Sequence, residues 1–226
     1  MISGIKSLEM KTKLWWMVLL SFYSLLYSQQ EITVARIKYK GGGDWYGNRT
    51  TFVNLFHYMR QNTNIQTSER EATVEIMDRD FFRYPVAYIA GHGNIKFNEE
   101  EVTRLRKYLI SGGFLWADDD YGMDFSLRRE MKRVFPELEW MELPFSHSIY
   151  HILYQFPNGL PKVHKHDGGP PGGFALFYEG RMIAFYSWNT DISDGCEDPD
   201  VHGDPPEIRQ SALQMGTNIL LWILTN

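Results

Sequence analysis

Apolar residues in this chain fall into two alternating patterns. Short continuous runs occur at Ile32–Tyr39, Thr73–Met77, Val86–Ala90 and Phe114–Ala117, the length and content of buried strands. Between them, apolar residues recur every three to four positions. Phe52, Leu55, Phe56 and Met59 share one helical face after Thr50 or Thr51 as cap, and Val102, Leu105, Tyr108 and Leu109 share another. The second helix has a capping box in Asn98 and Glu101 and a stop at Gly112-Gly113. A third helix starts at Asp124 or Ser126 and runs through Val134 and Phe135 to Pro136. Leu138–Leu143 reads as a strand and Ser146–Tyr154 as a short helix. Phe174–Phe177 and Met182–Trp188 read as a hairpin turning at Glu179-Gly180, and a largely buried helix runs from Pro206 to Leu224. Strands alternating with helices predict an α/β domain with a mostly parallel sheet and helices on both faces.

Polar residues crowd the ends of two of these strands. Gly91-His92-Gly93 follows Val86–Ala90, and Asp118-Asp119-Asp120-Tyr121-Gly122 follows Phe114–Ala117. Open α/β sheets bind ligands just past the carboxyl ends of neighbouring strands, so these two segments mark a site. If the strand continues, Asp118 and Asp120 face one side and Asp119 the other. Three adjacent carboxylates suit a metal ligand or a general acid/base, and they equally suit helix capping and loop hydrogen bonds. The glycines flanking His92 allow close backbone approach and positive φ. The phosphate-loop pattern is absent here.

Further histidines and acids lie downstream. His147 and His151 are one helical turn apart but lack the glutamate of a zinc-protease motif. His164 and His166 would face the same way in an extended segment, just before Asp167 and a Gly/Pro-rich loop. Asp191, Asp194, Glu197, Asp198, Asp200, His202 and Asp204 form an acidic stretch without the spacing of an EF-hand. It reads either as a cation site or as a solvated loop. Trp45, Tyr46, Tyr186 and Trp188 serve either as a sugar platform or as core.

Composition narrows the class. The 226 residues are 43% hydrophobic and 15% aromatic, enough for one sizeable core. The net charge is −5, and residues 1–28 carry +2, which leaves −7 for the rest. That acidic body, with no basic aromatic stripe, argues against nucleic acid. Lys11 and Lys13 precede the apolar stretch Leu14–Leu26, which is shorter than the roughly 20 residues of a membrane span, and Tyr27-Ser28-Gln29 offers a cleavage point. The expectation is a signal peptide over 1–28, with Met10 as an alternative start, and one domain over 29–226. The location expected is exported and periplasmic. The alternative is a membrane anchor formed by the same segment left uncleaved. Cys196 is the only cysteine, so no intramolecular disulfide forms. Its acidic neighbours Asp194, Glu197 and Asp198 suppress the thiolate.

The motif order resembles one bacterial family, domain of unknown function four-one-five-nine. The resemblance is carried by Tyr39-x-Gly41-Gly42-Gly43-Asp44-Trp45-Tyr46, Gly91-His92-Gly93, and Gly112-Gly113-Phe114-Leu115 with Asp118-Asp119. Arg129-Glu130-Met131, Phe156-Pro157-Asn158-Gly159-Leu160-Pro161 and Asp204-Pro205-Pro206 complete it, over about residues 32–224. It implies an exported or anchored cell-envelope protein with a flavodoxin-like fold similar to class I glutamine amidotransferases. It implies no activity. Where that fold would place its nucleophilic cysteine, this chain has Asp118 or Asp119, so a Cys-His-Glu amidotransferase is not expected.

Two functions follow as expectations. One is a binding domain for a small polar ligand or an envelope protein partner. The other is a metal-dependent hydrolase with a divalent cation as cofactor. His92, Asp118 and Asp119 are the candidate catalytic groups, and Asp120 belongs to the same cleft. Gly91, Gly93, Tyr121, Arg129, Trp45 and His151 are candidate ligand contacts. Asp119, His164 and His166 are the candidate metal ligands.

Overall fold

The apolar runs that begin at Val86 and Phe114 lie side by side at the centre of a seven-stranded sheet. The computed structural model describes residues 31–166 and 168–226. The expected signal segment, the Met10 start and Asp167 lie outside the described residues. Residues 32–226 form one unit.

In chain order the strands are β1 (Val34–Ile37), β2 (Ala72–Val74), β3 (Val86–His92), β4 (Phe114–Tyr121), β5 (Met141–Glu142), β6 (Gly172–Tyr178) and β7 (Arg181–Trp188). The helices are α1 (Thr51–Asn62), α2 (Glu99–Ile110), α3 (Asp124–Val134), the single turns α4 (Ile192–Gly195) and α5 (Pro199–His202), and α6 (Pro206–Thr225). The sheet order is β2-β1-β3-β4-β7-β6-β5. The pairs β2–β1, β1–β3, β3–β4 and β4–β7 are parallel, while β7–β6 and β6–β5 are antiparallel. This is a mostly parallel, three-layer, flavodoxin-like α/β fold with a C-terminal hairpin.

Side-chain alternation along the central strands builds two cores. Val86, Tyr88, Phe114 and Trp116 pack with α1 and α6 on one face; Ala87, Ile89, Leu115 and Ala117 pack with α2 and α3 on the other. Phe52, Tyr88 and Trp116 meet edge to face, with ring centroids 4.8 to 6.1 Å apart. The Trp116 indole N–H donates to Ser187 Oγ at 3.0 Å, which ties this core to the polar ends of β4 and β7.

Local sequence accounts for most of the boundaries. Asn98 and Glu101 form both bonds of the capping box. The β6–β7 turn has Glu179 at φ 48° and Gly180 at φ 81°, the paired left-handed residues of a tight hairpin. Strand β4 runs on through all three aspartates, because Ala90 and Gly91 of β3 and Ser187 of β7 continue the ladder beside them. The expected helix over Ser146–Tyr154 is only a 3₁₀ turn, Ser148–Tyr150. Asn218 accepts the Leu153 and Tyr154 N–H groups at 3.3 and 2.9 Å and so diverts the backbone from a helix. The expected strand over Leu138–Leu143 shrinks to Met141–Glu142 at the sheet edge. Among the described residues, no helix is long and apolar enough to cross a membrane.

Candidate metal centre

The parallel strands β3, β4 and β7 deliver polar groups to the carboxyl end of the sheet. On β4 the three aspartates alternate as a strand requires. Asp118 accepts from Ser187 Oγ and from the Ser193 N–H at 2.7 Å. Asp120 accepts from Ser193 Oγ at 2.7 Å and from Asn48 Nδ2 at 3.1 Å. Asp119 points to the other side, where its carboxylate accepts the Met123 and Asn189 N–H groups at 3.3 and 3.4 Å. It holds the turn into α3 against the end of β7.

The acidic stretch after β7 folds inward. Asn189 and Asp191 take left-handed backbone angles, φ 55° and 60°, and turn the chain into α4. Asp191 and Asp194 are 2% and 4% exposed, so the first half of the stretch, residues 191–197, is not a solvated loop, whereas Pro199–Gly203 is exposed. Thr51 Oγ1 bonds the Ser193 carbonyl at 2.8 Å, and Asn54 Nδ2 bonds the Cys196 carbonyl and Asp198 at 2.9 Å each. These contacts dock the segment on α1.

The histidine segment is strapped alongside it. Thr190 Oγ1 bonds the Pro161 carbonyl, Val163 N–H donates to the Thr190 carbonyl at 3.0 Å, and Lys162 Nζ reaches the Asn189 carbonyl at 2.7 Å. His164 and His166 are thereby brought over the two aspartates. His164 Nδ1 is 3.0 Å from Asp194 Oδ2, and His166 Nε2 is 3.1 Å from Asp191 Oδ2. One ligand atom from each of His164, His166, Asp191 and Asp194 lies within 4.8 Å of the other three. The far nitrogen of His164, Nε2, bonds Asp204 at 2.9 Å, and His202 Nε2 bonds Glu197 at 3.1 Å beside it.

The electrostatics of this group are unusual. Asp118, Asp120, Asp191 and Asp194 are each at most 4% exposed. Burial, with Asp118 and Asp194 as like-charged neighbours, pushes Asp191 up to about 9. Burial pushes Asp118 up to about 6, and burial with Asp194 and Asp118 nearby pushes Asp120 well above the carboxylate range. The hydrogen bond to Asp194 pushes His164 up to about 9, against the effect of its own burial. Tyr88 is fully buried with its phenol near Ser193, Asp118 and Asp120, yet its hydroxyl makes no hydrogen bond of ordinary geometry among the described residues. Carboxylates buried this closely either take up protons or share a cation.

At the rim, Asp44 clasps His92. Its carboxylate accepts the His92 backbone N–H and lies 3.1 Å from Nδ1. Among the described residues His92 Nε2 has no partner, and the imidazole is half exposed. Gly91 makes the clasp possible. Its φ is +124°, and a Cβ there would come 2.7 Å from Tyr39 Oη and 2.8 Å from Asp44 Oδ1. Gly91→Ala is therefore expected to lower stability by about 1–3 kcal/mol and to release His92, read as a lower melting temperature together with a shifted His92 ring signal by NMR.

The other sequence-predicted residues have different surroundings. The Tyr121 ring lies 5.3 Å from that of His166, and the His92 ring lies 6.4 Å from it. Gly93 (φ +87°) completes the turn whose carbonyl is held by Ser126 Oγ at 3.2 Å. Arg129 is committed to Glu130, the Ile95 carbonyl and Asn94, and so braces that turn. Trp45 packs on Tyr46 and Lys38. His151 bonds the Phe145 carbonyl and Gln155, and His147 packs on Trp222; neither joins the four-residue group. Nor does Asp119. Cys196 is buried and its thiol is held well above the usual range by burial, with Asp118 next. Asn48 and Ser193 were not singled out from the sequence. Asn48 Nδ2 reaches Asp194 at 2.5 Å and Asp120, and its left-handed φ of 52° is the one trace a sequence could have shown, since Asn tolerates that conformation.

Fold and site together define a flavodoxin-like α/β domain with a buried His/Asp cluster past the carboxyl ends of β4 and β7. The chain belongs to the family described as Domain of unknown function (DUF4159), which matches residues 33–224. No curated protein matches the chain.

Proposed function

We propose that this chain is a metal-dependent hydrolase of the cell envelope, with His164, His166, Asp191 and Asp194 holding one divalent cation. The observation that carries this reading is the convergence of two imidazole nitrogens and two buried carboxylates within 4.8 Å. Two nitrogens and two oxygens suit zinc or a similar first-row cation better than calcium, which takes oxygen ligands. Asp204 behind His164 is the outer carboxylate that commonly orients a metal-ligating histidine. Bound in the cleft, such a cation would lower the pKa of a water molecule and polarise a substrate oxygen.

The chain's own residues supply the rest. Asp44 fixes the His92 tautomer with the proton on Nδ1, which leaves the Nε2 lone pair free to take a proton from an attacking water. Asp118 ties β4 to β7 through Ser187 and to α4 through Ser193, and Asp120 ties β4 to α4 and to the Asn48 loop, so the two carboxyl groups fix the elements that carry the ligands. The buried thiol plays no part. Export rests on the basic-then-apolar order of residues 11–26.

The test is hydrolysis of p-nitrophenyl acetate and p-nitrophenyl phosphate by the zinc-loaded chain. Turnover of one of them is expected, abolished by chelation and lowered about 10²–10⁴-fold in His92→Ala. Loaded protein that turns over neither ester overturns the hydrolytic step. The metal site would then serve the second reading, in which a small polar ligand or an envelope partner binds without turnover. The half-exposed Tyr121 ring against His166 favours that reading as a contact surface.

A further inference from the structure

A cavity of about 310 Å³ opens beside the Trp45–Arg49 segment. Its lining includes Arg36, Arg49, Arg70, Glu71, Trp45 and Tyr46. Arg36 is 3% exposed, a guanidinium buried among the aromatic rings of Phe52 and Tyr88. Its Nε pairs with Glu71 at 3.0 Å, and its two terminal nitrogens reach the Trp45 and Asn48 carbonyls at 3.4 and 3.0 Å. A guanidinium carries five N–H groups, so two remain without an acceptor among the described residues. Spare donors on a buried cation are costly unless something accepts them.

The charge balance around the cavity is positive. Glu71 is neutralised by Arg36, and Lys38 by Glu75 at 3.3 Å. Among the described residues Arg49 bonds only the Tyr46 carbonyl, at 3.5 Å, and the Arg70 side chain has no partner. Arg49 and Arg70, neither in an ion pair among the described residues, therefore leave this lining net positive beside the Arg36–Glu71 pair, in a chain whose net charge is −5. Beside them, Trp45 and Tyr46 pack edge to face at 5.6 Å, and Tyr46 is 55% exposed. Arginine forks match phosphate oxygens, and exposed aromatic rings take flat or ring-shaped groups.

We propose that this cavity binds a phosphate monoester carried on a ring, with the phosphate on the arginines and the ring against Trp45 and Tyr46. The site is separate from the His/Asp cluster. Asn48 divides them, giving its carbonyl to Arg36 and its amide to Asp120 and Asp194. The inference does not depend on the hydrolytic reading.

The experiment is NMR titration of the full chain, stripped of metal by chelator so that an aryl phosphate has no cation to bind at the His/Asp cluster, with phenyl phosphate, inorganic phosphate and phenol. Phenyl phosphate is expected to bind saturably and to shift the Trp45 indole N–H while leaving the His164 and His166 rings unmoved. Inorganic phosphate is expected to bind about tenfold more weakly at the same place, and phenol not at all. Arg49→Ala with Arg70→Ala removes two exposed side chains, so the fold is kept, and phenyl phosphate affinity is expected to fall at least about tenfold. The proposal is overturned by no saturable shift at about 10 mM ligand, by shifts centred on His164 and His166, or by unchanged affinity in the double variant. Phenol binding as tightly as phenyl phosphate also overturns it, because the arginines would then be idle.

Discussion

Replacing His164 and His166 together by alanine is expected to abolish high-affinity divalent-cation binding. Both nitrogens of the four-atom ligand group go, and Asp191 and Asp194 are left as two buried carboxylates facing each other. Loss of an outer partner of a metal-bound histidine typically costs about 10–100-fold in affinity, so removal of two direct ligands should cost more than about 100-fold. The positions supply their own controls. Asp204→Asn leaves the four ligands intact but alters the group that holds His164 Nε2, and about a 10–100-fold loss is expected. His147→Ala with His151→Ala touches neither the ligands nor their supports, and affinity should be unchanged. Calorimetric zinc titration of the four proteins reads all of this. Equal loss in the 147/151 pair would place the metal elsewhere.

The second large effect is on stability against pH. Asp191 is held at about 9 by burial and by Asp118 and Asp194, against about 3.9 in an unfolded chain. His164 is held at about 9 by Asp194, against about 6.5 unfolded. Asp118, held at about 6 by burial, adds to the same trend lower down. In each case the folded state keeps its proton to a higher pH than the unfolded state does. The stability these protons confer is full below the unfolded pKa and is lost as pH rises through the folded value. The metal-free chain should therefore become less stable from about pH 6 to about pH 9, with each kcal/mol lost lowering the melting temperature by about 2–4 °C in a domain this size. A divalent cation competes with those protons, so the melting-temperature gain from saturating zinc should be larger at about pH 8 than at about pH 6. A metal-free melting temperature that stays flat or rises over that range contradicts the account of the cluster.

How much of this was readable beforehand depended on how far apart the partners lie in the chain. The capping box at Asn98 and the Glu179-Gly180 turn are set by residues within four positions of one another, and both appear as read. The strand cores at Val86 and Phe114 were plain from apolar runs. Whether β4 continues through Asp118–Asp120 is not legible in the sequence, because side-chain polarity does not reveal that Ala90, Gly91 and Ser187 keep pairing with the backbone there. The glycines around His92 pointed to a tight approach, but not to Asp44, which is 48 positions earlier. Asp191 and Asp194 looked equally like a solvated loop, since composition alone cannot show that Thr51, Asn54 and Asn48 pull that loop inward. The pairing of His164 with Asp194 hangs on the Pro161–Val163 strap along Asn189–Thr190, a contact that no local pattern encodes. Asp119 was the natural ligand to choose from the sequence. Strand alternation instead turns it toward Met123 and Asn189, and the carboxylates beside the two histidines come from a neighbouring loop.

His164, His166, Asp191 and Asp194 are proposed as one divalent-cation site. Zinc titration of the chelator-treated chain by calorimetry, with the His164 and His166 rings followed by NMR, decides whether they form it. Saturation at one equivalent is expected, with both ring signals shifting together. Absence of saturable binding, or saturation that leaves those two rings unshifted, contradicts that assignment.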